Sequence, residues 1–192
     1  MKKGLLIFIL IWINAVQLNA QAKKGWGFEA GLINNHQHFM ELYDGILELG
    51  VGYDFFVHRN LSAGAMINTG WLRRTNTNSA ATTFRPKLNL RYSIQLSSKI
   101  DLIPEASMGY SMLSFRNSEF DYNEIQSGIN TSAGLRMLWD YNQKTSLFVF
   151  GRIDYIYLSK DNDFTRLEYF RDVYLTTFGI GLKINRTDET NQ

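Results

Sequence analysis

The segment Leu47-Glu48-Leu49-Gly50-Val51-Gly52-Tyr53-Asp54-Phe55 decides the fold, because apolar residues alternate along it with charged residues and glycines. A second run with the same period extends from Leu61 to Trp71, after the short break 57–60. A period of two places successive side chains on opposite faces of a β-strand. Two such runs around a short break predict a β-hairpin with one apolar face and one face of charges and glycines.

The same alternation recurs along the rest of the chain and predicts eight strands in total. The other six cover about 26–34, 84–96, 101–112, 128–139, 147–157 and 174–184. The connections near His58, Ser98 and Asn142 are tight, whereas those near 37, 77, 122 and 165 are expected to run to about ten residues or more. Short periplasmic turns and long extracellular loops are typical of an all-β, antiparallel up-and-down transmembrane barrel. If the tight turns are centred on these positions, inward-facing residues lie opposite inward-facing residues on every pair of adjacent strands. No β-bulge is therefore expected.

The N-terminal segment predicts export from the cytoplasm. Lys2-Lys3 precede an apolar run over 4–16, and the small-residue site Ala20-Gln21-Ala22 follows. This pattern is typical of a cleavable signal peptide over 1–22, with cleavage after Ala22 or after Ala20. An uncleaved membrane anchor is the alternative. We expect residues 23–186 to form the barrel and 187–192 to form a polar tail.

Composition narrows the function classes. The formal charge of +2 and the lack of a block rich in lysine or arginine give no support for nucleic-acid binding. Cysteine is absent, which excludes a disulfide framework and a lipid-modified cysteine. The 192 residues suit one domain, and their 14% aromatic content favours β structure.

Three features indicate that the apolar face of the barrel meets lipid. Glycines are concentrated on the charged face, where they weaken a solvated strand but make room inside a narrow barrel. Large aromatic residues lie at both ends of the apolar face, as expected for two membrane interfaces, and the loops are asymmetric in length. The predicted belts are Trp26, Tyr53, Phe55 and Trp139 at the tight-turn end, and Trp71, Phe84, Tyr110, Tyr155 and Tyr174 at the long-loop end. A soluble lipocalin-like barrel, which would bind a ligand on its apolar face, is the alternative.

With lipid outside, the charges must face the lumen, because a basic residue on the lipid face costs about 2–4 kcal/mol at mid-depth. The predicted lumen charges are Glu29, Glu48, Asp54, Asp101, Glu105, Asp140 and Asp154 against Arg85, Lys87, Arg91, Arg136, Arg152 and Lys183. Arg91 and Glu105 fall opposite each other and are expected to pair, with Glu48 and Arg136 near the same level. Buried charges need partners of opposite sign. The sequence therefore predicts a plugged lumen filled by ion pairs.

The chain resembles the small eight-stranded outer-membrane barrels typified by the OmpA and OmpX transmembrane domains. It is more closely similar to the outer-membrane β-barrel domain family of Bacteroidota, which includes PorT-like proteins. In the last strand, Thr177, Gly179, Leu182 and Ile184 match a signal read by the barrel-insertion machinery, with isoleucine at the final position where that signal has an aromatic residue. The resemblance implies an outer-membrane location and roles in adhesion, envelope integrity or accessory secretion functions.

The sequence predicts no catalytic site, cofactor or metal. Some eight-stranded barrels modify lipid A, and such an enzyme would need a serine, a histidine and a carboxylate at the long-loop rim. His36 and His38 share the first long loop with Glu41 and Asp44, and Ser79 or Ser159 would supply the serine. This pattern is more typical of solvated loop histidines. We expect a non-enzymatic barrel that contacts other envelope components through its loops, with a lipid A-modifying enzyme and a narrow pore as the alternatives.

Overall fold

The computed structural model describes residues 22–36, 43–74, 79–117, 122–159 and 172–186. The strands are β1 (Gly25–His36), β2 (Tyr43–His58), β3 (Leu61–Arg74), β4 (Ser79–Tyr92), β5 (Ile94–Ser97), β6 (Ile100–Asn117), β7 (Tyr122–Asp140), β8 (Thr145–Leu158) and β9 (Asp172–Asn185). Strands β4 and β5 both pair with β6 and are separated only by Ser93, so together they form one strand of the wall.

The sheet closes on itself to form an eight-stranded antiparallel barrel, as the sequence predicts. Each strand pairs with its neighbours in the chain, and β1 pairs with β9 to complete the cylinder. Closure provides hydrogen-bond partners for the backbone groups that an open sheet would leave unpaired at its edges. A sheet inside a bilayer must meet this condition. Among the described residues, no helix is long and apolar enough to cross a membrane.

The orientation of the wall agrees with the alternation in the sequence. Leu90 is 51% exposed on the outside, whereas Arg85 is 0% exposed in the lumen. The outward rows of every strand carry the large apolar side chains, and the inward rows carry most of the charged ones. The exterior is thus suited to hydrocarbon rather than to water.

The strands are irregular in three places, so the prediction of a wall without bulges is wrong. In β2 the pairing with β3 shifts between Asp54 and Phe56, and Phe55 and Phe56 are both exposed on the outside, at 52% and 50%. The other shifts lie between Gly45 and Leu47 and between Gln95 and Ser97. A bulge leaves one extra residue unpaired and increases the local twist. In β2 it places two neighbouring aromatic side chains on the lipid face.

The strands extend further towards the long-loop rim than the sequence predicts. Only 37–42 separate β1 from β2, only 75–78 separate β3 from β4, and only 118–121 separate β6 from β7. Connections of about ten residues or more near 37, 77 and 122 are therefore wrong. The stretch 73–82 is rich in threonine, asparagine and serine, a composition that indicates a loop. Residues 80–82 nevertheless lie in β4, because β3 and β6 pair with them on both sides. The connection between β8 and β9, over 159–171, is long as expected.

Two lumen-facing glycines show why small residues are needed inside this wall. A β-carbon on Gly50 would overlap the amide of Asn68 and come 2.6 Å from a side-chain carbon of Glu29. One on Gly181 would overlap the ring of Phe148. Glycine at these positions leaves the space that the neighbouring polar or aromatic side chains occupy.

Candidate functional site

The centre of the lumen holds an ion-pair cluster built around Arg152 of β8. Its guanidinium donates to Glu29 at 2.8 Å, to Asp154 at 2.9 Å and to Glu48. Arg85 of β4 contacts two of these three carboxylates: its Nη1 lies 3.0 Å from Asp154 Oδ2, and its Nη2 is bonded to Glu48. All five side chains are almost completely buried. Strands β1, β2, β4 and β8 are therefore joined across the lumen by charge-assisted hydrogen bonds.

A second group of ion pairs lies nearer the tight-turn rim and is centred on Arg136 of β7. Arg136 donates to Glu105 at 2.6 Å and to Glu29 at 3.0 Å, so it connects the two groups. Arg91 donates to the same oxygen of Glu105 at 3.0 Å and to Asp54. Arg91 and Glu105 are also direct partners in the β4–β6 register.

Eleven of the thirteen expected lumen charges are thus close together, although their partners differ in part from the sequence-based arrangement. The other two, Asp101 and Asp140, lie nearer the tight-turn rim. Arg136 joins the Arg91–Glu105 pair, whereas Glu48 contacts Arg85 and Arg152 instead. Lys87 adds a contact to Asp154 at 3.1 Å, and Lys183 adds one to Asp54 at 2.7 Å. In the described network, Glu29, Glu48, Asp54, Glu105 and Asp154 face Arg85, Lys87, Arg91, Arg136, Arg152 and Lys183. The cations therefore outnumber the carboxylates by one.

An apolar cluster fills the lumen on the long-loop side of the ion pairs, and sequence reasoning missed it. Its members are Ile33, Leu72, Ala81, Leu113, Phe115, Ile156, Leu158, Val173 and Leu175. The sequence carried a signal for it, since 155–158 and 173–175 are apolar on both faces, in contrast to the alternation elsewhere. A run that is apolar on both faces is typical of a strand buried on both sides. The barrel therefore has a hydrophobic core inside its lumen.

Phe148 and Phe150 face the lumen beneath the ion pairs, where they pack with Ile103 and Leu138. The guanidinium carbon of Arg136 lies 4.8 Å from the centre of the Phe148 ring and 5.7 Å from that of Phe150. Arg152 lies 5.4 Å from the Phe150 ring. These cation–π contacts add to the attraction that the carboxylates provide for the arginines. The two rings fill the core rather than enclose a pocket.

The lumen opens at the tight-turn rim into a polar vestibule of about 200 Å³. Lys23 and Asp140 form an ion pair of 2.7 Å at its edge, and Ser93 donates a hydrogen bond to Asp101 at its wall. Beyond it a second cavity of about 20 Å³ lies beside Arg136. This second space has room for about one water molecule. The vestibule therefore ends at the ion pairs.

The predicted aromatic belts and insertion signal lie on the outer wall, except for two positions of the signal. The belt residues Trp26, Tyr53, Phe55, Trp71, Phe84, Tyr110, Trp139, Tyr155 and Tyr174 all project outwards. In β9, Leu182 and Ile184 face outwards, whereas Thr177 and Gly179 face the lumen. Thr177 also donates a hydrogen bond to Glu48 at 3.0 Å, so this position of the signal supports the ion network as well.

The residues considered for catalysis are only partly described. Ser79 is buried at the start of β4, whereas Ser159 is exposed just after β8. The remaining histidine of the chain, His58, is exposed at the end of β2, at the tight-turn rim. The backbone of His36 ends β1, but its side chain and those of His38, Glu41 and Asp44 lie outside the described residues, as do residues 1–21 and 187–192. In the described ranges, no group of three histidine, aspartate or glutamate side chains is placed to hold a metal ion.

Comparison with known proteins supports the fold. Neither a protein-family model nor a curated protein sequence matches the chain. The structure of neisserial surface protein A covers 88% of this chain and 100% of its own, with 8% identity and a TM-score of 0.65. The structure of the Yersinia pestis attachment invasion locus protein Ail covers 87% of this chain and 100% of its own, with 9% identity and a TM-score of 0.53. The structure of a major outer membrane protein of Thermus thermophilus covers 86% of this chain and 100% of its own, with 12% identity and a TM-score of 0.53. The chain has the fold of a small bacterial outer-membrane barrel.

Proposed function

We propose that this chain is an integral protein of the bacterial outer membrane that works as a closed, non-conducting scaffold. Its long-loop rim would present contact surfaces to other envelope components or to the surroundings of the cell. The proposal rests above all on one observation, the continuous set of ion pairs that joins opposite walls of the lumen. A scaffold gains rigidity from such a core, whereas a pore or a ligand carrier needs open space in the same place.

The lipid-facing exterior supports the membrane location. An apolar outer wall with exposed Leu88, Met108 and Ile180 would be a large aggregation-prone surface in water. In the outer membrane the same surface is solvated by acyl chains. A soluble lipocalin-like barrel needs the opposite arrangement, with the apolar rows inside and the ions outside.

The contents of the lumen are the basis for proposing a non-conducting barrel. Above the vestibule, a diffusing ion would meet first the cluster of Arg136 and Glu105 and then the apolar residues around Leu113 and Leu175. Planar-bilayer recordings with the purified chain should show no stable conductance steps, with a porin in the same bilayers as the positive control. Reproducible steps from the purified chain would contradict the proposal.

The orientation of the barrel can be tested with single cysteines, because the chain contains none of its own. Arg73→Cys lies near the long-loop rim and Lys144→Cys in the tight turn between β7 and β8, and both residues are exposed. A membrane-impermeant maleimide should label the Arg73 variant in intact cells and the Lys144 variant only after the cells are permeabilised. Labelling in the reverse order would overturn the assignment of the rims.

A role in contact with partners is consistent with the names of two similar structures, the attachment invasion locus protein and neisserial surface protein A. We extend to this chain only the class of role, surface contact. A photo-crosslinking residue at Arg116, exposed near the long-loop rim, should capture an envelope or surface component, whereas one at Tyr141 in a tight turn should not. We also propose that the chain belongs to the outer-membrane β-barrel domain family of Bacteroidota, which includes PorT-like proteins, on the strength of the strand pattern over the whole mature chain.

The scaffold that we propose has no catalytic step. The competing role, modification of lipid A, would depend on His36 and His38. Lipid A from cells carrying His36→Ala and His38→Ala should give the same mass spectrum as lipid A from cells with the unaltered chain. A change in acylation between the two would instead support the enzyme.

A further inference from the structure

The outer face of the barrel is indented by an apolar depression of about 800 Å³. It crosses β2, β1, β9, β8 and β7 in the half nearer the tight-turn rim, and its walls include Phe28, Leu49, Trp139, Leu147 and Leu182. The small side chain of Ala30 lies in it, directly between Leu49 and Ile180 on the neighbouring strands. Ala30 thus presents only a methyl group between two larger side chains, which leaves room at this point of the wall.

Three cations lie where the strands beneath this depression reach the tight-turn rim. Lys24 and Arg186 are direct neighbours across β1 and β9, since the Arg186 amide donates to the Lys24 carbonyl at 2.8 Å. Strand alternation places both on the outward face, in line with Phe28 and Leu182. Lys144 is next along the rim, where its carbonyl accepts from the Asn185 amide at 2.8 Å.

This arrangement has the features of a site for an anionic headgroup. Basic side chains grouped at the membrane surface attract anionic lipid headgroups. Exposed Trp26 and Trp139 flank the same region, and tryptophan marks the headgroup level of a bilayer. The cations are therefore at the depth of lipid phosphates, while the depression lies at the depth of the acyl chains.

We propose that this face binds an anionic phospholipid of the inner leaflet. Its phosphate lies against Lys24, Arg186 and Lys144, and an acyl chain lies in the depression over Ala30. The inference rests on the membrane location and rim orientation proposed above. It is independent of whether the barrel conducts ions and of what its loops contact.

The test is native mass spectrometry of the full chain in mild detergent, with phosphatidylglycerol and phosphatidylcholine of identical acyl chains. The chain should retain phosphatidylglycerol in preference to phosphatidylcholine. Each rim cation near an anionic surface contributes on the order of a fivefold change in affinity, so Lys24→Gln and Arg186→Gln together should remove most of the preference. Arg59→Gln, in the tight turn between β2 and β3, is the matched control and should leave the preference unchanged. Equal retention of the two lipids by the unaltered chain would overturn the proposal.

The depression is tested separately with Ala30→Phe, which should lower retention of both lipids because the ring occupies the space of the acyl chain. Ala65→Phe, on the outward face of β3, is its control. Heat-modifiable electrophoretic mobility checks that each variant has formed its barrel. If Ala30→Phe and Ala65→Phe retain lipid equally, the proposal that an acyl chain binds in the depression is wrong.

Because Asp188 and Glu189 follow Arg186 in the sequence, a chain ending at Arg186 is also measured, and its preference for phosphatidylglycerol should persist. Loss of the preference in that chain would count against a site made by the rim cations alone.

Discussion

Replacing Glu48 by glutamine should destabilise the barrel more than any conservative change at its surface. Glu48 is 1% exposed and binds both Arg85 and Arg152 through its two carboxylate oxygens. Glutamine keeps the shape of the side chain and can still accept a hydrogen bond from Thr177. It removes the negative charge between two buried guanidinium groups, in a network that already has more cations than carboxylates.

The expected loss follows from this geometry. Removing one partner of a buried ion pair typically costs about 3–5 kcal/mol, because the remaining charge stays buried without compensation. Arg152 keeps Glu29 and Asp154, and Arg85 keeps Asp154, which limits the loss for each arginine. We therefore expect Glu48→Gln to lower the free energy of unfolding by about 3 kcal/mol, at the lower end of that range.

Urea unfolding in lipid vesicles, followed by tryptophan fluorescence, measures this quantity. Lys23→Gln is the control, since the Lys23–Asp140 pair at the rim is partly exposed and should contribute no more than about 1 kcal/mol. Lys87→Met gives a contrast inside the network, because it makes cations and carboxylates equal in number and should cost clearly less than Glu48→Gln. A Glu48→Gln variant as stable as the Lys23→Gln control would show that the lumen charges are solvated and that our account of the core is wrong.

Three further changes test other parts of the structure by the same unfolding assay. Gly181→Leu should cost about 1–3 kcal/mol or prevent assembly, because its side chain overlaps a buried aromatic ring; Gly27→Leu has open space around its β-carbon and should be tolerated. Leu88→Arg on the lipid face at mid-strand should cost about 2–4 kcal/mol, whereas Leu96→Arg near the rim should cost at most about 1 kcal/mol. Leu175→Ala should cost about 2–5 kcal/mol through the cavity it leaves in the apolar cluster of the lumen. Equal effects within the glycine or arginine pair, or a neutral Leu175→Ala, would contradict the packing or membrane depth assigned to that position.

Much of the architecture could be predicted from the sequence, because alternate residues of a strand inside a bilayer face lipid and lumen and therefore differ in polarity. Leu90 and Arg91 are neighbours in the chain and face opposite media in the structure. The pairing of Arg91 with Glu105 also followed from the sequence, since a tight turn between adjacent strands sets their register. Predictions of this kind depend only on local periodicity and turn position.

Other features could not be predicted in this way because the polar alternation fails near the long-loop rim. Inward residues such as Ile156 and Leu175 are apolar there, so the pattern no longer distinguishes lumen from lipid. Residues 80–82 belong to a stretch that resembles a loop in composition, yet pairing with β3 and β6 holds them in a strand. The bulge at Phe55 adds a residue that simple alternation does not reveal.

The sequence by itself determined the strand number, the closed antiparallel order and the separation of ions from lipid, because those properties follow from a period of two and the length of each break. Only the tertiary structure decided which charged side chains form ion pairs with each other. Glu48 and Arg152 are 104 residues apart and lie on strands that are not neighbours, yet they bond across the lumen. Their meeting depends on the diameter and stagger of the closed cylinder, which are properties of all the strands together and of no single segment.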